Sequence, residues 1–213
     1  MQKDWRSIRD ILAQSFKVIW QELWTALVVN SLWMLANLLI IPGPPATLAL
    51  QWYTNQLVHQ EAVDHTDYWR AIRRYFKEGW RWGIVNLLII LFLVGDYWIT
   101  CQAQDFTGKT LMLGVYVGLL LFWFLLQFFA LPLLFEQAEQ KLRQAWGNAL
   151  VLIGLNLRFV IVLGLVITLV LLLGTLAFLL SVFFGPIFLG LAGNFAVVDR
   201  LENAKPNPLP SEG

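Results

Sequence analysis

The chain has 213 residues, of which 58% are hydrophobic and only 14% charged, with 11 Trp, 15 Phe and a net charge of +1. An average soluble domain carries about 25% charged residues, so this composition excludes that class and predicts a polytopic membrane protein. It gives no support to nucleic-acid binding, and the single Cys101 has no second thiol for an intramolecular disulfide or a Cys-based metal site.

Residues 4–20 put Trp5, Ile8, Leu12, Phe16 and Ile19 on one helical face, with Arg6, Arg9, Asp10 and Lys17 elsewhere, which predicts an amphipathic helix at the membrane interface. No compact apolar run with a small-residue cleavage site follows, so a removable signal peptide is not expected. Leu23 to Gln60 then runs 38 residues without Asp, Glu, Lys or Arg, nearly twice the roughly 20 needed to cross a bilayer. Pro42, Gly43, Pro44 and Pro45 mark a turn between two spans, about 23–41 and 45–60. The second span is short and could instead be re-entrant.

Asp67 to Trp82 alternates Tyr68, Trp69, Ile72, Tyr75, Phe76, Gly79 and Trp80 with Arg70, Arg73, Arg74, Lys77 and Arg81. It is expected to be one basic amphipathic helix on an anionic cytoplasmic leaflet, which attracts each cation by about 1 kcal/mol. A third span follows at about 83–100, then a polar loop containing Asp105 and Lys109, then a fourth at 110–135 whose end Pro132 bends. Residues 136–156 again suit an interfacial helix. Phe159 to Val198 is uncharged for 40 residues and is expected to break at Gly185 and Pro186 into spans 159–184 and 186–199. The tail, 204–213, is rich in Pro and Asn and is expected to be disordered.

The fold class is therefore all-α: a single membrane domain over 1–203, with six transmembrane helices in three hairpins, each preceded by an amphipathic interfacial helix. Trp5-Arg6-Ser7-Ile8-Arg9 returns as Trp69-Arg70-Ala71-Ile72-Arg73, a weak echo of such a repeat. With both termini on one side, 14 of the 15 Lys and Arg residues fall there and only Lys109 falls opposite. The positive-inside rule makes that side the cytoplasm, and the expected location is the plasma (inner) membrane.

The second span is the most polar, with Thr47, Gln51 and Asn55 at i, i+4 steps and Thr54 and Gln56 beside them. Such a stripe either lines a path for a polar solute or bonds to neighbouring helices, and both readings stay open. Gly114 and Gly118 form a G-x-x-x-G pair that suits close helix packing, within the chain or in a homo-oligomer. Asp96 is placed near the outer interface, hydrated rather than acting as a proton relay. His59, Glu61, Asp64 and His65 lack the spacing of a helical ligand pair and read as a solvated loop, so no metal site is expected. No catalytic constellation is found, and no cofactor is expected.

Asn30, Trp33, the Pro42-Gly43-Pro44-Pro45-Ala46-Thr47 turn, Leu50, Trp69, Phe76, Lys77 and Asp96 together resemble the YesL family, also called domain of unknown function 624. The resemblance covers about residues 25–100. It implies a small multi-span bacterial membrane protein often associated with carbohydrate uptake, without an established activity and with no catalytic residue to carry over. The expected function is thus a non-enzymatic accessory component of solute uptake, partnered by the lipid bilayer and a transporter complex. An autonomous small-solute transporter or channel is the alternative, and a membrane-bound enzyme the third.

Overall fold

The computed structural model describes residues 2–176 and 178–204, with side chains described for 6–173 and 185–203. Among the described residues it is entirely helical: α1 (Gln2–Gln21), α2 (Leu23–Leu38), α3 (Gly43–Val58), α4 (His65–Arg74), α5 (Phe76–Gln102), α6 (Lys109–Glu136), α7 (Leu142–Leu155), α8 (Leu157–Leu176) and α9 (Phe178–Ala204). Lys3, Lys205 and the expected disordered tail from 205 onward lie outside the described side chains or residues.

The helices fall into three triplets, each opening with two helices joined through a single residue. Glu22 (φ −104°, ψ 32°), Tyr75 (φ −95°, ψ 17°) and Asn156 (φ −126°, ψ 29°) share one backbone conformation close to the bridge region between helix and strand. At Asn156 the two helix axes turn by 100°. As an order of elements, two helices joined at a single residue and followed by a third helix occur three times among the described residues. The Trp5 and Trp69 echo does not follow it: Trp5 stands 17 residues before its joint and Trp69 only six.

Tyr75 also corrects the expected single basic helix over 67–82. Arg70, Arg73 and Arg74 belong to α4, whereas Lys77 and Arg81 open α5. α4 starts on a reciprocal cap: Asp64 Oδ1 accepts from the Thr66 and Asp67 backbone N–H at 2.7 and 3.1 Å, and Asp67 Oδ2 accepts from the Asp64 N–H at 3.2 Å. A second correction concerns Gly185 and Pro186, which lie inside α9 rather than between two helices; α8 ends at Leu176 and α9 begins at Phe178. Pro132 likewise lies inside α6, which continues to Glu136.

α3 is the central helix. Leu48, Ala49, Leu50, Tyr53, Thr54 and Asn55 are all buried, against α2, α4, α5, α6 and α9. Gly79 and Gly83 let α5 come close to its prolyl N-terminus: a Cβ on Gly79 would sit 2.5 Å from Pro45 Cα, and one on Gly83 2.7 Å from Pro44 Cβ. Ile187, Phe188 and Leu191 of α9 join the core built around α3, while Ala192, Ala196 and Val197 join a second core with α1, α6, α7 and α8. α9 thus holds the two cores together. The outer halves of α5 and α6 leave this body as an exposed hairpin, with Leu87, Leu91, Leu111 and Leu121 bare.

Two described helices, α5 and α6, are each long and apolar enough to cross a membrane, and the bent α7–α8 pair is a third candidate. α2 is apolar but shorter.

Candidate functional site

Thr47, Gln51 and Asn55 are placed on α3 by the i, i+4 spacing, but the structure divides them. Thr47 belongs to the contact with α2, where its hydroxyl accepts from Trp33 Nε1 at 3.2 Å and donates to the Gly43 carbonyl at 3.1 Å. Gln51 and Asn55 belong to a different cluster with Thr54, Asn194 of α9 and Glu136 at the end of α6. Asn55 Nδ2 donates to Glu136 Oε1 at 2.6 Å and to Asn194 Oδ1 at 3.2 Å. Asn194 Nδ2 in turn donates to Thr54 Oγ1 at 3.0 Å and the Gly190 carbonyl at 2.9 Å, and reaches Gln51 Oε1 at 3.5 Å. Gly190 makes this possible, because a Cβ there would stand 2.8 Å from Thr54 Cγ2.

The cluster opens toward water only at one end. His59 Nε2 donates to Glu136 Oε1 at 2.8 Å, with the His59 side chain 46% exposed and that of Glu136 15%. Inside, every donor of Asn55 and Asn194 points at a protein acceptor. In a low-dielectric interior such satisfied bonds are strong and costly to exchange, so the stripe ties α3 to α6 and α9. Of the two open readings for Gln51 and Asn55, this geometry is that of interhelical bonding.

Two further polar ties were hidden in the sequence. Gln127 Oε1 accepts from both Trp82 Nε1 (2.9 Å) and Trp146 Nε1 (3.2 Å), and Asn86 Oδ1 accepts from Trp123 Nε1 at 2.9 Å. Indole nitrogen is a donor only, so each half-buried Trp uses an acceptor, and the isolated amides of α5 and α6 supply it. Arg200, counted among the surface cations, is instead 10% exposed; its guanidinium lies 3.6 Å from the Phe159 ring centroid and donates to Ser7 Oγ at 2.9 Å and pairs with Asp199 at 2.8 Å. This contact joins α1, α8 and α9.

Arg70, Arg73, Arg74, Lys77 and Arg81 are all exposed, across the Tyr75 joint. Tyr68, Ile72, Tyr75 and Gly79 bury the opposite face, whereas Trp69 and Phe76 remain open, 47% and 44% exposed, beside the cations. Arg73 lies 5.5 Å from the Trp69 ring centroid and Arg74 5.4 Å from that of Tyr75. A cavity of about 250 Å3 sits behind them, where the Tyr75 hydroxyl donates to Gln140 Oε1 at 3.4 Å.

Gly114 and Gly118 correct the packing expectation within the chain. Both are exposed, and a Cβ on either would meet nothing within 4 Å, so among the described residues no helix rests on them. Gly79, Gly83, Gly190 and Gly193, by contrast, do seat a neighbour. Among the described residues no group of three or more His, Cys, Asp or Glu could hold a metal ion: His59 faces Glu136 and Asp64 caps α4.

The segment from α2 through most of α5 holds the prolyl turn, the Gly79 and Gly83 seat, and Asn55. Residues 26–97 match the DUF624 family, described as a protein of unknown function. YesL-like proteins belong to that family, so the resemblance read from Asn30, the Pro42–Thr47 turn, Trp69 and Asp96 holds over this stretch. No curated protein and no solved structure matches the chain. The DUF624 segment contributes α3 to the amide cluster, while its partners Glu136 and Asn194 lie beyond the match. With its apolar helices, the chain is a helical membrane protein.

Proposed function

We propose that this protein is a non-enzymatic accessory component of solute uptake in the plasma membrane, with a carbohydrate as the favoured solute class. In this reading six helices cross, as the hairpins α2–α3, α5–α6 and α8–α9, while α1, α4 and α7 lie along the cytoplasmic surface. Both termini and the Arg70–Arg81 cations face the cytoplasm, against anionic lipid. The reading is carried by one observation, the Asn55–Glu136–Asn194 cluster, whose amides are spent on other helices rather than offered to a solute. The 16-residue helices α2 and α3 reach only about 24 Å, against about 40 Å for α5, so the first hairpin crosses where the bilayer is thinned.

A second reading, an autonomous transporter with its path along α3, is favoured by the half-exposed His59 at the open end of the same cluster. Reconstitution separates the two. Purified protein in proteoliposomes is expected to move no sugar or other small polar solute, and Arg70, Arg73, Arg74 and Lys77 changed together to Gln are expected to weaken co-purification with native membrane partners. Saturable flux abolished by Gln51→Ala or Asn55→Ala would establish the transporter instead.

A further inference from the structure

We propose that the outer half of the α5–α6 hairpin is a docking surface for a transmembrane helix of another protein, one carrying a Lys or Arg side chain opposite Asp96. The proposal rests on the accessory reading and names the chemistry of the partner that reading requires.

A groove of about 790 Å3 runs between α5 and α6, open along its length and walled by Leu88, Phe92, Leu119, Phe122 and Trp123. Asp96 stands one helical turn beyond Phe92, so it continues the α5 face that forms this wall. It is partly buried, and no described side chain or backbone group bonds to it or pairs with it. The nearest cation in sequence on the hairpin, Lys109, is occupied: its Nζ donates to the Ala103 carbonyl at 2.7 Å and to Asp105 Oδ1 at 3.0 Å.

Depth selects the occupant. Asp96 lies six positions before Gln102 at the end of α5, about 9 Å along the helix, so with α5 crossing as proposed and Gln102 at the outer surface the carboxylate sits below the headgroup layer that a lipid ammonium occupies. Carboxylates at such depth pair with another intramembrane ionisable group. A second copy of the chain cannot supply it, because Lys109 is the one Lys or Arg of the hairpin's outer end and is already paired. A partner helix can, laying apolar side chains into the groove and a long cationic one against Asp96.

The test uses the native Cys101, which is exposed on α5, as the site of a fluorescent donor. Energy transfer is measured in liposomes to acceptor-labelled Leu-rich transmembrane peptides that carry Lys, Leu or Glu six residues from the outer end. The Lys peptide is expected to associate about tenfold more tightly than the Leu peptide, the size of one intramembrane polar contact, and the Glu peptide no better than Leu. Asp96→Asn is expected to erase the preference, and Leu119→Trp, which fills the groove, to weaken all three peptides. Equal binding of the Lys, Leu and Glu peptides to the unchanged protein, which involves no variant that could misfold, would overturn the proposal. Solute flux is recorded in the same vesicles before peptide is added: flux would overturn the accessory reading and with it this role for the surface, while no flux and no Lys preference would overturn the docking surface alone.

Discussion

Asn55 Nδ2 lies 2.6 Å from Glu136 Oε1, across 81 residues of sequence, and fastens the central helix to the buried end of α6. Asn55→Leu removes that donor and the bond to Asn194 together, leaving a mostly buried carboxylate short of a partner. Loss of a hydrogen bond to a charged group costs about 1.5–3 kcal/mol, so the unfolding midpoint in detergent should fall clearly. Thr47→Val, which removes a neutral bond, should cost about 1 kcal/mol. Equal midpoints for the two variants would refute this ranking.

Gly79 and Gly114 look alike in sequence and should behave oppositely. Gly79→Ala drives a Cβ to within 2.5 Å of Pro45 Cα and should destabilise by about 1–3 kcal/mol. Gly114→Ala meets nothing and should stabilise by up to about 1 kcal/mol through helix propensity. Thermal unfolding of the two variants in one detergent decides it; a destabilised Gly114→Ala would mean that another chain rests on that face.

Topology has a direct check. After Cys101→Ser, a cysteine at Gln104 should react with an impermeant thiol reagent in intact cells, and one at Arg74 should react only after the cells are opened. The reverse pattern would invert the proposed orientation.

The start of α4 should loosen in acid. The Thr66 hydroxyl, followed by the backbone N–H groups of Asp67 and Thr66, holds the Asp64 carboxyl below its usual range. A carboxyl lowered on folding stabilises above its unfolded value and loses that contribution as pH falls through the folded one. Amide protection over 66–68, corrected for intrinsic exchange, should therefore hold down to the usual carboxylate range and drop as pH falls below it, and Asp64→Ala at neutral pH should lack the protection that acid removes from the parent. Protection that Asp64→Ala leaves unchanged would rule out the cap as its source.

What could be read in the residues depended on the range of the interaction. The prolyl turn and the long apolar character of α5 and α6 are local features, set by Pro42 to Pro45 and by runs poor in charge, and the helices found there are apolar and long enough to cross a membrane. Tyr75 was not legible as a joint, because a single residue leaving the helical conformation preserves the spacing of Tyr68, Ile72, Tyr75 and Gly79 that bury one face. Pro186 was misleading in the opposite direction; within a packed membrane helix, neighbours can satisfy the carbonyl that a proline frees. Asn194 meets Asn55 across 139 residues, and Arg200 meets Ser7 across 193, so neither pairing leaves a local pattern to find.

The clasp between Ser7 and Arg200 also orders the protein's assembly in time. Ile8 and Ile11 bury themselves in a core that includes Ala192, Ala196 and Val197, so α1, made well before α9, finds this seat only once α9 has been made. Until then part of its apolar stripe lacks its α9 cover, and the long α1–α9 contact closes as a late, non-local step. A chain stopped after α8 would therefore leave both its ends unseated, with Phe159 lacking its cation and α1 lacking the wall it packs on.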